Sequence, residues 1–109
     1  EELLVELLGN LVDNALRHTP KGGTIRIEVA AEPGGVCLAV ADSGAGIPDE
    51  FAQKIFDRFT QVPGGETGTA GLGLSLAAQI AAVHGGALAL ANPGQSGARF
   101  ECRLPIAQV

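Results

Sequence analysis

Positive charge and long apolar segments are both scarce in this sequence. It has seven Lys and Arg residues against twelve Asp and Glu, and its formal net charge is −5. A general nucleic-acid-binding protein normally has a basic surface, so this balance argues against that class. No apolar run approaches the roughly 20 residues that a membrane-spanning helix needs. The two cysteines, Cys37 and Cys102, lack metal-site spacing and lie in strand-like segments, so we expect them to be reduced packing residues.

Glycine, in contrast, is abundant. The 109-residue chain has 16 glycines, and 46% of its residues are hydrophobic, which is enough to form the core of one small domain. The glycines follow no Gly-X-Y period, which excludes a collagen-like structure. Seven of them lie between positions 44 and 73. This clustering predicts a region in which the backbone itself has a functional role.

Hydrophobic periodicity predicts an α+β domain. Apolar residues at three- and four-residue steps indicate an amphipathic first helix that ends near Thr19-Pro20. The later segments are strands at 24–29 and 36–41 joined by a hairpin loop, a helix at 49–59, a lid-like loop at 60–70, a helix at 71–84, and strands at 87–91 and 98–104. On the first strand, Ile25, Ile27 and Val29 alternate with polar residues, which predicts one buried face. We expect a two-layer α/β sandwich, with a mixed, mostly antiparallel sheet covered on one face by three helices.

The first helix has an unusual polar side. Glu6, Asn10, Asp13, Asn14 and Arg17 lie at helical spacing opposite the leucines. One interpretation is a solvated face, as on many amphipathic helices. The two asparagines favour another, because Asn is a mediocre helix former and its amide oxygen is a hard, neutral ligand that suits Mg²⁺ shared with phosphates. Both interpretations stay open at this point.

Asp42 ends the second strand and begins a glycine-containing loop. By strand parity it lies on the same side as Val40, on the face that we assign to the core. A buried carboxylate needs a donor. Asp42 could form a turn by accepting from the Gly44 amide, or it could accept the exocyclic amine of a buried base while Gly44 and Gly46 allow close approach to the backbone.

The segment Gly71-Leu72-Gly73-Leu74 opens a predicted helix directly after the loop at 60–70. A helix N-terminus has free N–H groups and the positive end of the helix dipole, both of which favour phosphate. The segment matches neither the P-loop pattern nor a dinucleotide-binding fingerprint. Phe56 and Phe59 precede the loop, and we interpret them as hydrophobic anchors beneath it.

Four motifs occur in a fixed order at residues 10–15, 42–46, 56–59 and 71–74. In this order, and on these elements, they resemble the N, G1, F and G2 boxes of the Bergerat ATP-binding fold. Within that group, the GHKL superfamily, the sequence is similar to the catalytic ATP-binding domain of bacterial sensor histidine kinases. The resemblance extends over essentially the whole chain.

The resemblance implies that ATP and Mg²⁺ are the cofactors. It assigns Mg²⁺ ligation to Asn14, with Asn10 assisting from one turn back, and recognition of the adenine amine to Asp42. It also implies that Arg17 contacts a phosphate and that His18 contacts the nucleotide where many members have a tyrosine. Around the base it implies contacts from Gly44, Gly46 and Ile47, and at the base of the lid from Phe59. At the phosphates it implies contacts from Gly71, Leu72, Gly73 and Leu74, with Arg58 as a candidate catalytic cation.

Asn10 also bears on the type of reaction. In the ATP-hydrolysing members of the superfamily, such as the gyrase and MutL types, a glutamate at this position activates water, whereas an amide is a poor general base. Phosphoryl transfer to a protein histidine is therefore favoured over hydrolysis. His18 lies within the first motif and His84 precedes a helix-ending Gly-Gly, so we expect neither to be the acceptor.

By the same resemblance, the acceptor histidine lies on a separate dimerisation domain of the same protein, and a response regulator acts downstream. The chain begins inside a helical pattern, so we expect it to be the ATP-binding part of a longer protein and unable to autophosphorylate alone. We expect the domain to be cytoplasmic and its parent to be a homodimeric, inner-membrane sensor. An anti-sigma-type Ser/Thr kinase of the same fold and a non-catalytic nucleotide-binding regulatory module stay open as alternatives.

Overall fold

The computed structural model describes residues 2–51, 54–56 and 70–105. The described elements are α1 (Glu2–His18), β1 (Ile25–Glu32), β2 (Gly35–Asp42), 3-10 turns at Asp49–Phe51 and Lys54–Phe56, α2 (Ala70–Val83), β3 (Ala87–Leu90) and β4 (Arg99–Pro105). This order confirms the predicted α+β class. The bounds of the two α-helices and four strands differ from the predicted ones by no more than three residues.

The four strands form one sheet in the order β1-β2-β4-β3, and every neighbouring pair is antiparallel. The expectation of a mixed sheet is therefore wrong for the strands that the structure describes. β1 and β2 form a hairpin, and the chain returns through α2 and β3 so that β4 runs opposite to β2. Asp42 at the end of β2 pairs with Ile25, and Ala41 pairs with Arg99. The end of β2 thus lies beside the start of β4.

Both helices pack on one face of the sheet and enclose the core. α1 contributes Leu7 and Leu11, which recur at helical spacing, while β2 and β4 contribute Val40 and Phe100 from their helix-facing sides. These four side chains are almost completely removed from solvent, and burial of each is worth about 1.5–3 kcal/mol. α2 adds Ile80 and packs against α1, β3 and β4. The helix layer therefore fixes the polar side of α1 relative to the end of β2.

The predicted helix at 49–59 is not observed in its described parts, which are single 3-10 turns. Ile55, 3% exposed, and Phe56 pack into the core, and the Phe56 ring meets Phe100 edge-on at 6.1 Å between centroids. The apolar spacing therefore indicated an anchor to the core, which one tight turn satisfies without the i→i+4 hydrogen bonds of an α-helix. The described residues accordingly have two α-helices on the sheet, where three were expected.

The predicted burial of β1 is also wrong in part. Ile27 and Val29 point to the helix side but are 50% and 69% exposed. β1 is an edge strand, and the described helices pack against β2, β4 and β3. Alternation therefore gave the face of the strand correctly but could not reveal whether a helix covers that face.

The other face of the sheet has a chain of ion pairs. Arg99 contacts Glu28 and Glu101 at 2.9 and 2.8 Å, and Arg103 contacts Glu101 at 2.9 Å. These charged side chains flank the buried Ala39, which pairs with both Glu28 and Glu101. The guanidinium groups of Arg99 and Arg103 lower the pKa of Glu101. The open face is therefore a polar surface on the side of the sheet away from the helices.

The cysteine prediction is confirmed. Cys37 and Cys102 are both free and buried. Their strand neighbours are Arg103 and Leu38 respectively, which puts the two thiols on opposite faces of the sheet. Burial raises the pKa of the Cys102 thiol, which keeps it protonated and unreactive.

α2 ends where the sequence predicted. The N–H groups of Gly85 and Gly86 donate to the carbonyls of Ala82 and Ala81 at 2.9 and 2.8 Å, and this pattern closes the last turn. The His84 ring lies 2.9 Å from the carbonyl of Ile80, as expected for a residue at a helix C-terminus. Neither described helix is long and apolar enough to span a membrane.

Candidate functional site

The polar side of α1 divides into an exposed part and a buried part. Glu6, Asp13 and Arg17 are exposed, as a solvated face requires. Asn14 is only 5% exposed and makes no hydrogen bond to another described residue. One turn earlier, the Nδ2 atom of the half-buried Asn10 is also buried without a partner in the described part of the chain. The solvated-face interpretation therefore holds for the charged residues and is wrong for Asn14.

Helix geometry explains this burial. Asn14 follows Leu7 by seven residues, or almost two full turns, so it continues the stripe with which α1 enters the core. Burying a side-chain atom such as Nδ2 of Asn10 without a hydrogen-bond partner costs about 1–3 kcal/mol. A side chain that adds nothing to the apo fold at this cost is typical of a binding site. The oxygens of Asn14 and Asn10 fit Mg²⁺, which prefers hard oxygen ligands.

The Asp42 carboxylate is held by the backbone through one oxygen only. Its Oδ1 accepts hydrogen bonds from the N–H of Gly44 at 2.8 Å and from the N–H of Ala98 at 3.2 Å. The turn interpretation is therefore confirmed. Its Oδ2 has no partner among the described residues. Acceptance of an adenine amine by this oxygen stays a prediction that the geometry permits.

The glycines of the loop after β2 allow its backbone to contact the backbone of two other segments. A Cβ atom on Gly44 would overlap the carbonyl of His18 at the end of α1. A Cβ atom on Gly46, whose φ is +84°, would overlap the carbonyl of Gln95. We expected these glycines to open the backbone to a ligand. Gly44 lets the Asp42 loop pack against the end of α1, and Gly46 lets it pack against the carbonyl of Gln95; the approach of a ligand to this backbone stays a prediction.

A second loop, residues 91–98, supports the first and belongs to none of the predicted site motifs. Gly97 donates its N–H to the carbonyl of Gly44 at 2.7 Å, and Gly94 donates to the carbonyl of Ile47 at 2.8 Å. The side chain of Asn92 hydrogen-bonds within the same loop. The signal for a turn was present as Asn92-Pro93-Gly94, but its contact with the Asp42 loop depends on the pairing of β2 with β4.

The other predicted site residues are distributed between the described and undescribed parts of the chain. The first turn of α2 contains Gly71, Leu72 and Gly73, at the helix start where the phosphate site was predicted. Leu74 is buried in the core, and Ile47 and His18 are half-buried. Arg58, Phe59 and most of the predicted lid lie outside the described residues.

Comparison with known proteins identifies the family. The model of the histidine kinase-, DNA gyrase B- and HSP90-like ATPases matches residues 1–108. The sensor protein KinB of Pseudomonas aeruginosa, which takes part in alginate biosynthesis, is 45% identical over 101 residues. That match covers 92% of this chain and 17% of KinB. The chain therefore spans a small part of the length of such a relative.

Solved structures agree with this match. A mycobacterial sensor histidine kinase, MprB, superimposes with a TM-score of 0.85 at 31% identity, covering 95% of this chain and 72% of that chain. Full-length ShkA, solved in complex with AMPPNP, superimposes with a TM-score of 0.84 at 31% identity, covering 98% of this chain and 22% of that chain. The chain belongs to the family of histidine kinase-, DNA gyrase B- and HSP90-like ATPases of the GHKL superfamily, and within it is a catalytic domain of the sensor histidine kinase type.

Proposed function

We propose that this domain binds ATP together with Mg²⁺ and donates the γ-phosphoryl group to a histidine on a dimerisation domain of the same protein. The observation that carries the proposal is the pair of asparagines on α1: Asn14 is 5% exposed and makes no hydrogen bond to another described residue, and the Nδ2 atom of Asn10 is buried without a partner in the described part of the chain. The Asp42 carboxylate adds a second recognition group near the end of the same helix. ATP binding is also what membership of an ATPase family implies.

Asp42 supplies base recognition in this proposal. Two backbone N–H groups fix its Oδ1, so its Oδ2 is oriented without further ordering of the side chain. The exocyclic amine of adenine would donate a hydrogen bond to this oxygen. Guanine has a carbonyl oxygen at the same position and would be repelled by the carboxylate. The site is therefore proposed to select adenine.

The phosphates would bind at the other side of the site. Asn14, with Asn10, would hold Mg²⁺, which neutralises charge on the phosphates. Gly71 and Gly73 would donate backbone N–H groups from the first turn of α2. Arg17 and Arg58 would add positive charge. Because the chain has a net charge of −5, these few groups must offset the charge of a polyphosphate.

The residue at position 10 favours transfer over hydrolysis. An amide cannot take a proton from water, so Asn10 does not provide the general base of an ATP hydrolase. In the proposed reaction an imidazole nitrogen of the acceptor histidine attacks the γ-phosphorus, and ADP leaves with the electrons of the broken P–O bond. The His84 ring lies against the carbonyl of Ile80, and His18 lies beside the Asp42 loop, so neither is proposed as the acceptor.

The wider setting follows from the relatives and is proposed on that basis. The acceptor domain would belong to the same polypeptide, and a response regulator would receive the phosphoryl group from it. The parent protein would be a homodimer anchored in the inner membrane, with this domain in the cytoplasm. No nucleic-acid partner is proposed.

Calorimetry and phosphotransfer test the proposal. We expect ATP to bind the purified chain with Mg²⁺ present and at least tenfold more weakly with excess EDTA, because the asparagine oxygens can contact phosphate only through the metal. The double variant Asn14→Ala, Asp42→Asn should lose measurable binding, and the same changes should abolish autophosphorylation in the full-length protein. Equal ATP affinity of the wild type and the double variant would refute the site assignment.

A further inference from the structure

The peptide group between Gly97 and Ala98 is hydrogen-bonded at both ends. Its N–H, which belongs to Ala98, donates to Oδ1 of Asp42 at 3.2 Å. Its carbonyl, which belongs to Gly97, accepts from Nδ2 of Asn92 at 3.1 Å. The two bonds thus form a continuous path from the Asn92 amide through one peptide group to the Asp42 carboxylate.

Asn92 is itself held on both sides. Its Oδ1 accepts from the N–H of Arg99 at 2.9 Å, at the point where β4 begins. Since a backbone N–H can only donate and a carbonyl can only accept, these neighbours also fix which side-chain atom is oxygen and which is nitrogen. Asn92 therefore uses both of its functional groups within the loop and is not free to rotate.

The geometry of the peptide bond makes this path directional. The group is planar and trans, so fixing the direction of the Gly97 carbonyl also fixes the opposite direction of the Ala98 N–H. A donor at the carbonyl polarises the group and strengthens the bond that its N–H makes. The next amide, that of Gly97, is fixed as well, by its bond to the carbonyl of Gly44.

The loop is also packed so tightly that the peptide has little space in which to move. Gly97 is buried with a φ of +72°, and a Cβ atom there would come within 2.5 Å of the Asp42 carbonyl. The Asp42 N–H donates to the carbonyl of Ala98 at 2.9 Å. Asp42 and the 97–98 segment are therefore joined by both main-chain and side-chain hydrogen bonds.

We propose that Asn92 is a positioning residue for base recognition: by holding the Gly97 carbonyl it orients the peptide that fixes Asp42 Oδ1, and so directs Oδ2 toward the adenine amine. This inference rests on the proposed ATP site, and it adds a residue from a loop that makes no direct contact with the base in the proposal. Asn92 acts on specificity through Asp42, without contacting the reacting atoms.

Asn92→Asp is the most informative variant. It keeps an acceptor for the Arg99 N–H but turns a carboxylate oxygen toward the Gly97 carbonyl, which removes one bond and adds repulsion. Asn92→Ala removes both bonds. Gln95→Ala is the matched control, because Gln95 is exposed in the same loop and its side chain makes no hydrogen bond to another described residue.

The probes are ATP and purine riboside triphosphate, which lacks the exocyclic amine. We expect the wild type and Gln95→Ala to prefer ATP, and Asn92→Asp to lose about tenfold of that preference, the range expected for one misaligned polar contact. The added negative charge of Asn92→Asp should weaken the binding of both nucleotides equally, so its effect cancels in the ratio of the two affinities. Asn92→Ala should behave in the same direction and keeps the test valid if Asn92→Asp does not fold.

Amide hydrogen exchange gives a readout that does not need nucleotide. In the apo protein, the Ala98 N–H should exchange faster in Asn92→Asp than in Gln95→Ala, because the peptide is no longer held at its carbonyl. If Asn92→Asp keeps the wild-type nucleotide ratio while Asp42→Asn loses it, the positioning role is refuted and the ATP site stands. If the wild type itself does not discriminate between the two nucleotides, base recognition by Asp42 and the inference fail together.

Discussion

The two sides of the candidate site satisfy their polar groups in opposite ways. On α1, the Nδ2 atom of Asn10 is buried without a partner in the described structure, and the largely buried Asn14 makes no hydrogen bond to another described residue. At the end of β2, one oxygen of Asp42 accepts two backbone hydrogen bonds. In the proposed site, the α1 side therefore keeps polar groups available for a ligand, whereas one oxygen of the β2 side is already hydrogen-bonded within the fold.

This difference separates stability from binding. A buried polar group without a partner lowers the stability of the apo protein, so its removal should cost binding without costing the fold. A carboxylate that holds two loop amides contributes to both, so its removal should cost both. Substitutions on the two sides should therefore give different patterns in unfolding and in nucleotide binding.

The largest effect is expected for Asp42→Ala. Without Oδ1, the N–H groups of Gly44 and Ala98 lose their acceptor, and we expect a loss of about 2–3 kcal/mol in the free energy of unfolding. ATP affinity should fall about 100-fold at a temperature where the variant is folded. Urea unfolding and calorimetry measure the two effects.

Asp42→Asn separates the two roles. Its carbonyl oxygen can still accept from both N–H groups, which forces the NH₂ group toward the position of Oδ2. We expect Asp42→Asn to be more stable than Asp42→Ala but to bind ATP weakly. The NH₂ group of the new asparagine and the exocyclic NH₂ group of adenine are both donors, so they cannot hydrogen-bond to each other. If Asp42→Asn binds ATP as the wild type does, the second oxygen is not the base contact.

Asn14→Leu should give the opposite pattern. It replaces an amide that lacks a partner among the described residues with an apolar side chain next to Leu7 and Leu11, so we expect the fold to gain about 1 kcal/mol, or a rise of about 4–8 °C in Tm. The Mg²⁺-dependent part of ATP binding should disappear. Thermal unfolding in EDTA without nucleotide is the measurement, with Asn14→Ala as the smaller control. A fall in the Tm of both variants would contradict the interpretation that the Asn14 amide serves ligand binding and not the stability of the fold.

The sequence predicted local features well and contacts between distant segments poorly. The spacing of the apolar residues predicted α1, which the structure confirms, while the metal site predicted at Asn10 and Asn14 stays a prediction. Whether Asn14 is buried depends on how α1 packs against α2 and the sheet, which no single segment determines. The exposure of Ile27 has the same origin, since alternation gives a face but not what covers it.

Asn92 is the clearest case of a residue that the sequence could not reveal. A turn at Asn92-Pro93-Gly94 is readable, but the partner of that turn is the Asp42 loop, about 50 residues earlier. The two come together because β2 pairs with β4 across an intervening helix and strand. Non-local strand pairing of this kind is set by the whole fold, so side-chain roles that depend on it become visible only in the structure.

The smallest effect is expected on the open face of the sheet, which belongs to neither side of the site. The guanidinium groups of Arg99 and Arg103, at 2.8 and 2.9 Å, lower the pKa of Glu101 below its usual value. Because the folded pKa is depressed, the stabilisation is complete above about pH 4.3, the usual pKa of glutamate, and is lost as the pH falls through the lower, folded value.

Glu101→Gln should therefore lower the free energy of unfolding by about 1 kcal/mol or less at pH 7, and the difference from the wild type should shrink as the pH falls through the lowered pKa of Glu101. High salt should also reduce it, since these side chains are partly exposed. ATP affinity should not change, because Glu101 faces away from the helices and the site. A change in ATP affinity as large as that of Asp42→Asn would contradict this. It would mean that the ion pairs of the open face are coupled to the Asp42 loop through Arg99, whose N–H donates a hydrogen bond to Asn92.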